Sequence, residues 1–151
     1  MKNKIFTPLA VIIVMAVYAF SNPKVDFKAD NKQGIQFHKG NWSEALELAK
    51  KEHKLIFLDI YATWRGPCKK LKKHTFSDEK VGQFYNSNFI NVSFDGEQEE
   101  GLKLVNQYQL TGYPSLLFID ENGKVVTQSG GYHNSDELIA LGKSVFKQSY
   151  F

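Results

Sequence analysis

The run KLIFLDIYA at residues 54–62 constrains this chain more than any other stretch. It is apolar, branched or aromatic apart from Lys54 and one acid, Asp59, and it shows no polar alternation. As a strand it would be covered on both faces and would lie in the middle of a sheet. TWRGPCKKL follows at once. Pro67 there fits the first turn of a helix, where its missing N–H leaves no bond unmade, and a helix is expected from it toward Asn86. A buried strand that turns straight into a helix calls for an α/β layering.

The remaining segments extend that layering. NWSEALELAKKEHK puts Trp42, Ala45, Leu46 and Ala49 on one helical face, with Asn41 and Glu44 at the spacing of a capping box. NFINVSFD reads as a second buried strand, and EEGLKLVNQYQL as a helix whose apolar positions include Leu102, Leu104, Val105 and Tyr108. SLLFID and VVTQSGG flank the turn ENGK, which predicts an antiparallel hairpin. NSDELIALGKSVFK closes the chain as an amphipathic helix capped by Asn134 or Ser135. The economical packing is a mixed sheet of about four to five strands with helices on both faces.

This order of elements, together with Trp64-Arg65-Gly66-Pro67-Cys68-Lys69, resembles the thioredoxin family, whose motif is Trp-Cys-Gly-Pro-Cys-Lys. LDIYATW, CKKLKKHTFSDEKV and TGYPSLLFIDENGKV are most similar to the periplasmic C-terminal domain of the transmembrane disulfide reductase DsbD and to small exported thioredoxin-like proteins. The resemblance implies a thioredoxin fold and thiol-disulfide exchange without a cofactor. It implies protein or peptide thiols and disulfides as partners, a membrane disulfide reductase among them. The family reaction needs a thiolate at the helix start, where unpaired N–H groups favour negative charge. A second cysteine three residues later resolves the mixed disulfide. Here the attacking position holds Arg65 and only Cys68 remains, so the two-cysteine cycle cannot close within one chain.

Two readings of that site follow. In the first, Cys68 performs single-thiol exchange, helped by Asp59, which matches the buried acid that takes the second cysteine's proton in thioredoxins. The lysine that lies near that acid in the family corresponds here to Asn91, which leaves the proton relay incomplete. In the second, Cys68 is an inert core thiol and the site is a binding surface. Arg65 and the helix N–H groups around Gly66 and Pro67 would then hold an anion such as a peptide carboxylate. Trp64 and Tyr113 would form an apolar platform, and the backbone beside Pro114, cis by resemblance, would pair with an extended peptide.

The N-terminus stands apart. Lys2 and Lys4 precede an apolar run from Leu9 to Phe20, too short for a spanning helix but suited to a secretory signal. Residues 1–21 are therefore expected to be a signal peptide, cleaved after Ala19 or Ser21, or else retained as an anchor. Residues 22–34 read as a flexible lead-in and 35–151 as the thioredoxin-like domain of an exported, periplasmic protein. Membrane contact is expected only if the leader is retained. The whole chain carries 19 Lys and Arg against 16 Asp and Glu, and losing the leader removes two of the basic residues. That near-balance argues against nucleic-acid binding. The sole basic cluster, KKLKKH at 69–74, reads as a solvated helix face around one buried residue, Leu71. Cys68 is the only cysteine, so an internal disulfide is excluded. His38, His53, His74 and His133 are too scattered for a metal site.

Overall fold

The structure, a computed structural model, describes residues 25–29 and 31–148; the expected signal at 1–21 lies outside them. Helix α1 (Trp42–Glu52) leads into β1 (Leu55–Tyr61), followed by α2 (Gly66–Lys70), a π turn over Leu71–Thr75, and α3 (Glu79–Asn88). Then come β2 (Phe89–Asp95), α4 (Glu99–Gln107), the hairpin of β3 (Ser115–Ile119) and β4 (Val125–Gly130), and α5 (Ser135–Gln148). The four strands are ordered β2-β1-β3-β4. β1 pairs with β2 in parallel and with β3 antiparallel, and β3 pairs antiparallel with β4. The apolar run thus sits between two neighbours, and Ile56 to Tyr61 are all buried.

Alternation along β1 divides the interior in two. Ile56, Leu58 and Ile60 belong to a core completed by Trp42, Ala45 and Ala49 of α1 and Leu104 of α4. Phe57 belongs to the opposite core, with Leu71, Val81 and Tyr85, and with Leu138 and Val145 of α5. Phe57 is the hub of that layer, its ring centroid 4.7 Å from Tyr85, 5.3 Å from Phe118 and 6.1 Å from Phe76. Asp59, two residues further along the strand, points to the same side of the sheet.

Local chemistry sets the helix ends. The Asn41–Glu44 capping box forms in both directions. Asn134, rather than Ser135, caps α5: its side chain accepts from the Glu137 N–H at 2.9 Å, and Glu137 accepts from the Asn134 N–H at 2.8 Å.

Three sequence expectations are corrected. The helix expected from Pro67 toward Asn86 is not continuous. The Phe76 N–H reaches back five residues to the Leu71 carbonyl at 2.8 Å, which makes the π turn, and Asp78 starts α3 anew by accepting from the N–H groups of Lys80 and Val81. In the basic cluster Lys72 is buried as well as Leu71. Leu102, expected on the apolar face of α4, is exposed, and Leu104 and Gly101 carry the buried side.

The segment before the domain lies against it. Phe27 stacks on Tyr61 with ring centroids 4.4 Å apart and planes 7° apart. Lys39 Nζ donates to the Lys28 carbonyl at 3.0 Å, Lys72 Nζ donates to the Ala29 carbonyl, and Ile35 is buried.

Candidate functional site

The site forms where β1 ends and α2 begins, facing the loop before β3. Arg65 stands at the N-cap position of α2 in extended backbone conformation and contributes no side-chain cap. It is exposed, and its Nε donates to the Tyr113 carbonyl at 3.2 Å. The guanidinium carbon lies 5.6 Å from the centre of the Trp64 ring. Trp64 itself is 61% exposed and its indole N–H donates to Glu97. It is therefore a surface platform. Tyr113 is half-buried and packs over Gly96, where a Cβ would come within 2.3 Å of the tyrosine ring; only glycine leaves the ring that seat. The Tyr113–Pro114 peptide is cis.

The expected binding residues Trp64, Arg65, Tyr113 and Pro114 are thus brought to one edge, with Gly66 and Pro67 opening the helix beside them. One detail differs from the sequence reading. The Tyr113 carbonyl, which an extended peptide would use for strand pairing, is already occupied by Arg65.

Beneath that edge lies a second set of groups. Cys68 is 2% exposed. Burial pushes its thiol up to about 11; the Asp59 charge adds to the rise, and a backbone hydrogen bond from Ala62 and the Arg65 charge oppose it. At pH 7 such a group is thiolate in roughly one molecule in ten thousand. Asp59 is 3% exposed, and burial raises its carboxyl to about 7, against the pull of a Ser93 hydrogen bond and the Lys72 charge. Ser93 Oγ donates to Asp59 Oδ2 at 2.7 Å, while Asp59 Oδ1 has no hydrogen-bond partner among the described residues.

Sequence reasoning missed Ser93 and Lys72. Ser93 becomes the neighbour of Asp59 through the parallel register, in which Asp59 faces Ser93 and Asn91 faces Phe57. Asn91, expected to replace the family's cation, is buried and bonds to Asn86 at 3.3 Å. The cation that acts on Asp59 is Lys72. A signal for Lys72 was present in its place one helical turn after Cys68.

Comparison with known proteins decides the family. A model of the thioredoxin-like domain matches residues 42–146. The chain belongs to the thioredoxin-like family. It is 29% identical over 128 residues to the thiol:disulfide interchange protein DsbD of Tatumella citrea, an alignment covering 82% of this chain and 22% of that protein. A candidate disulphide-isomerase from Bacteroides thetaiotaomicron superposes with a TM-score of 0.67 at 39% identity, covering 79% of this chain and 98% of that one. The reduced DsbD C-terminal domain of Neisseria meningitidis superposes with a TM-score of 0.56 at 26% identity, covering 68% and 91% respectively. The homology is to disulfide oxidoreductases. The thioredoxin-like chain spans about a fifth of the length of the Tatumella DsbD. No helix among the described residues is long and apolar enough to cross a membrane.

Proposed function

We propose that this chain is an exported, periplasmic thioredoxin-like protein that no longer runs a two-cysteine cycle and instead holds extended polypeptides at the Trp64–Arg65–Tyr113–Pro114 edge. The observation that carries this reading is the inversion of exposure at the motif. The position that should present a nucleophile presents the exposed Arg65, and the remaining thiol, Cys68, is buried and held protonated. An arriving strand would displace the Arg65 Nε from the Tyr113 carbonyl, pair with the freed backbone, and offer the guanidinium a carboxylate in exchange. Trp64 supplies apolar contact area that an exposed ring otherwise leaves in water.

The test uses a partner that cannot exchange disulfides: an unfolded, S-carboxymethylated model polypeptide titrated into the full chain. Binding is expected to persist in Cys68→Ala and to weaken about tenfold or more in Arg65→Ala and Trp64→Ala. Absence of binding by the parent chain, or its loss in Cys68→Ala, would defeat the proposal.

A second reading, single-thiol exchange through Cys68, is favoured by one observation. Asp59 has a carboxyl raised to about 7, which suits a group that accepts a thiol proton near neutral pH. It predicts that Cys68 is alkylated in the native fold. A thiol that reacts only after unfolding would exclude it.

A further inference from the structure

Residues 25–29 lie on the domain as a turn with an aromatic ring at its tip. Asp26 Oδ1 accepts from the Lys28 N–H at 2.9 Å, which closes the turn over Phe27 and Lys28. The Phe27 ring is thereby laid on Tyr61, with centroids 4.4 Å apart and planes within 7° of parallel. The two carbonyls that follow, those of Lys28 and Ala29, accept from Lys39 Nζ and Lys72 Nζ. These domain groups select a chemistry and not one sequence: a ring face takes an aromatic side chain, and an ammonium takes any free carbonyl.

The attachment is light. Asp26, Lys28 and Ala29 are exposed, and Phe27 is half-buried. Among the described residues no backbone-to-backbone hydrogen bond ties 25–29 to the domain. Ile35 is fastened separately, since it is buried and its N–H donates to the Phe76 carbonyl at 2.8 Å. Nor does the turn fill its seat. It walls a cavity of about 950 Å³ whose other side includes Phe37, Tyr61, Ser93, Phe94 and Asp95. With Phe27 withdrawn, the face of Tyr61 would open into that cavity as apolar surface of the kind that soluble proteins cover with a partner. Trp64, Arg65, Tyr113 and Pro114 do not line this cavity, so it is a different place from the edge proposed above.

We propose that the Tyr61 face, with Lys39 and Lys72 beside it, is a docking site for a partner polypeptide that presents an aromatic side chain followed by two free main-chain carbonyls, and that the lead-in is a resident plug which such a partner displaces. The occupant seated there now defines the chemistry that the site accepts. A second copy of this chain is not the partner, because its lead-in already fills the same site on its own domain and an exchange would add no contact. The plug sets a threshold: a partner enters only by outcompeting a segment that its short tether keeps at high local concentration.

The test uses a fluorescently labelled synthetic peptide of residues 22–33 as the probe, titrated into the full chain and into its Phe27→Ala variant, in which the ring seat is empty. Binding to Phe27→Ala is expected to be at least about tenfold tighter than to the parent, and an unlabelled peptide carrying Phe27→Ala should fail to compete. Binding at the Trp64 edge would be equal in the two chains, so the difference between them reads the Tyr61 site alone and stands apart from the function proposed above. Equal affinity for both chains, or no binding to either, would overturn the proposal. So would a Phe27→Ala chain that does not fold, since the turn would then be a fixed part of the domain. A parent chain that sediments as a dimer while Phe27→Ala sediments as a monomer would give the site to a second copy and overturn it equally.

Discussion

Asp59 and Arg65 are six residues apart and differ in almost everything that fixes a residue's role. Asp59 is 3% exposed, bonded to Ser93 and acted on by the Lys72 charge. Arg65 is exposed, and among the described residues its side chain donates to the Tyr113 carbonyl and lies over the Trp64 ring. The interior half of the site is buried, and the charge state of each of its groups depends on its neighbours. The surface half is a loop whose side chains can be exchanged at little cost in stability. The difference teaches that a buried acid and a buried thiol can sit beneath a surface position that holds an exposed arginine.

The largest effect expected from this contrast is on stability. A carboxyl raised to about 7 when folded binds its proton in the native state over a range where the unfolded chain has released it. Stability from this group is therefore complete below about pH 4 and is lost as pH rises through about 7, with a total of up to about 4 kcal/mol. Denaturant unfolding of the full chain across that range measures the slope, and Asp59→Asn should remove most of it. Equal slopes in both proteins would break the interior half of the comparison.

Next in size is the reactivity of Cys68. With its thiol raised from 9 to about 11, alkylation at pH 8 should be about a hundredfold slower in the folded chain than in denaturant. Similar rates would place the thiol at the surface.

A third prediction joins the two halves. Arg65→Cys restores the motif above an intact Asp59 and Cys68, and reductase activity on a model protein disulfide should rise at least about tenfold over the parent. No gain would mean that the interior half has decayed too.

The smallest effect is at Trp64. Its removal to alanine should change unfolding stability by no more than about 0.5 kcal/mol, whereas Phe57→Ala, at the hub of the aromatic core, should cost about 3 to 5 kcal/mol.

What the sequence made legible followed the same division between local and long-range causes. The burial of β1, the Asn41–Glu44 box and the β3–β4 hairpin depend on residues within a few positions of one another, and the patterns that specify them lie in single short stretches. Trp64, Arg65 and Asp59 were found because they share one segment with Cys68. Ser93 was not found, because its role comes from the register between β1 and β2. Lys72 was misread because the lysine-rich composition of KKLKKH outweighed its place one helical turn after the buried Cys68. The contact between Arg65 and Tyr113 joins loops 48 residues apart, and no local pattern contains it.

The central claim is that Cys68 does not sustain disulfide exchange in this chain. The direct measurement is turnover of a model protein disulfide by the parent and by Cys68→Ala, each against a protein-free blank. The account predicts that both match the blank. Turnover by the parent that disappears in Cys68→Ala would contradict it and establish a one-cysteine exchange enzyme.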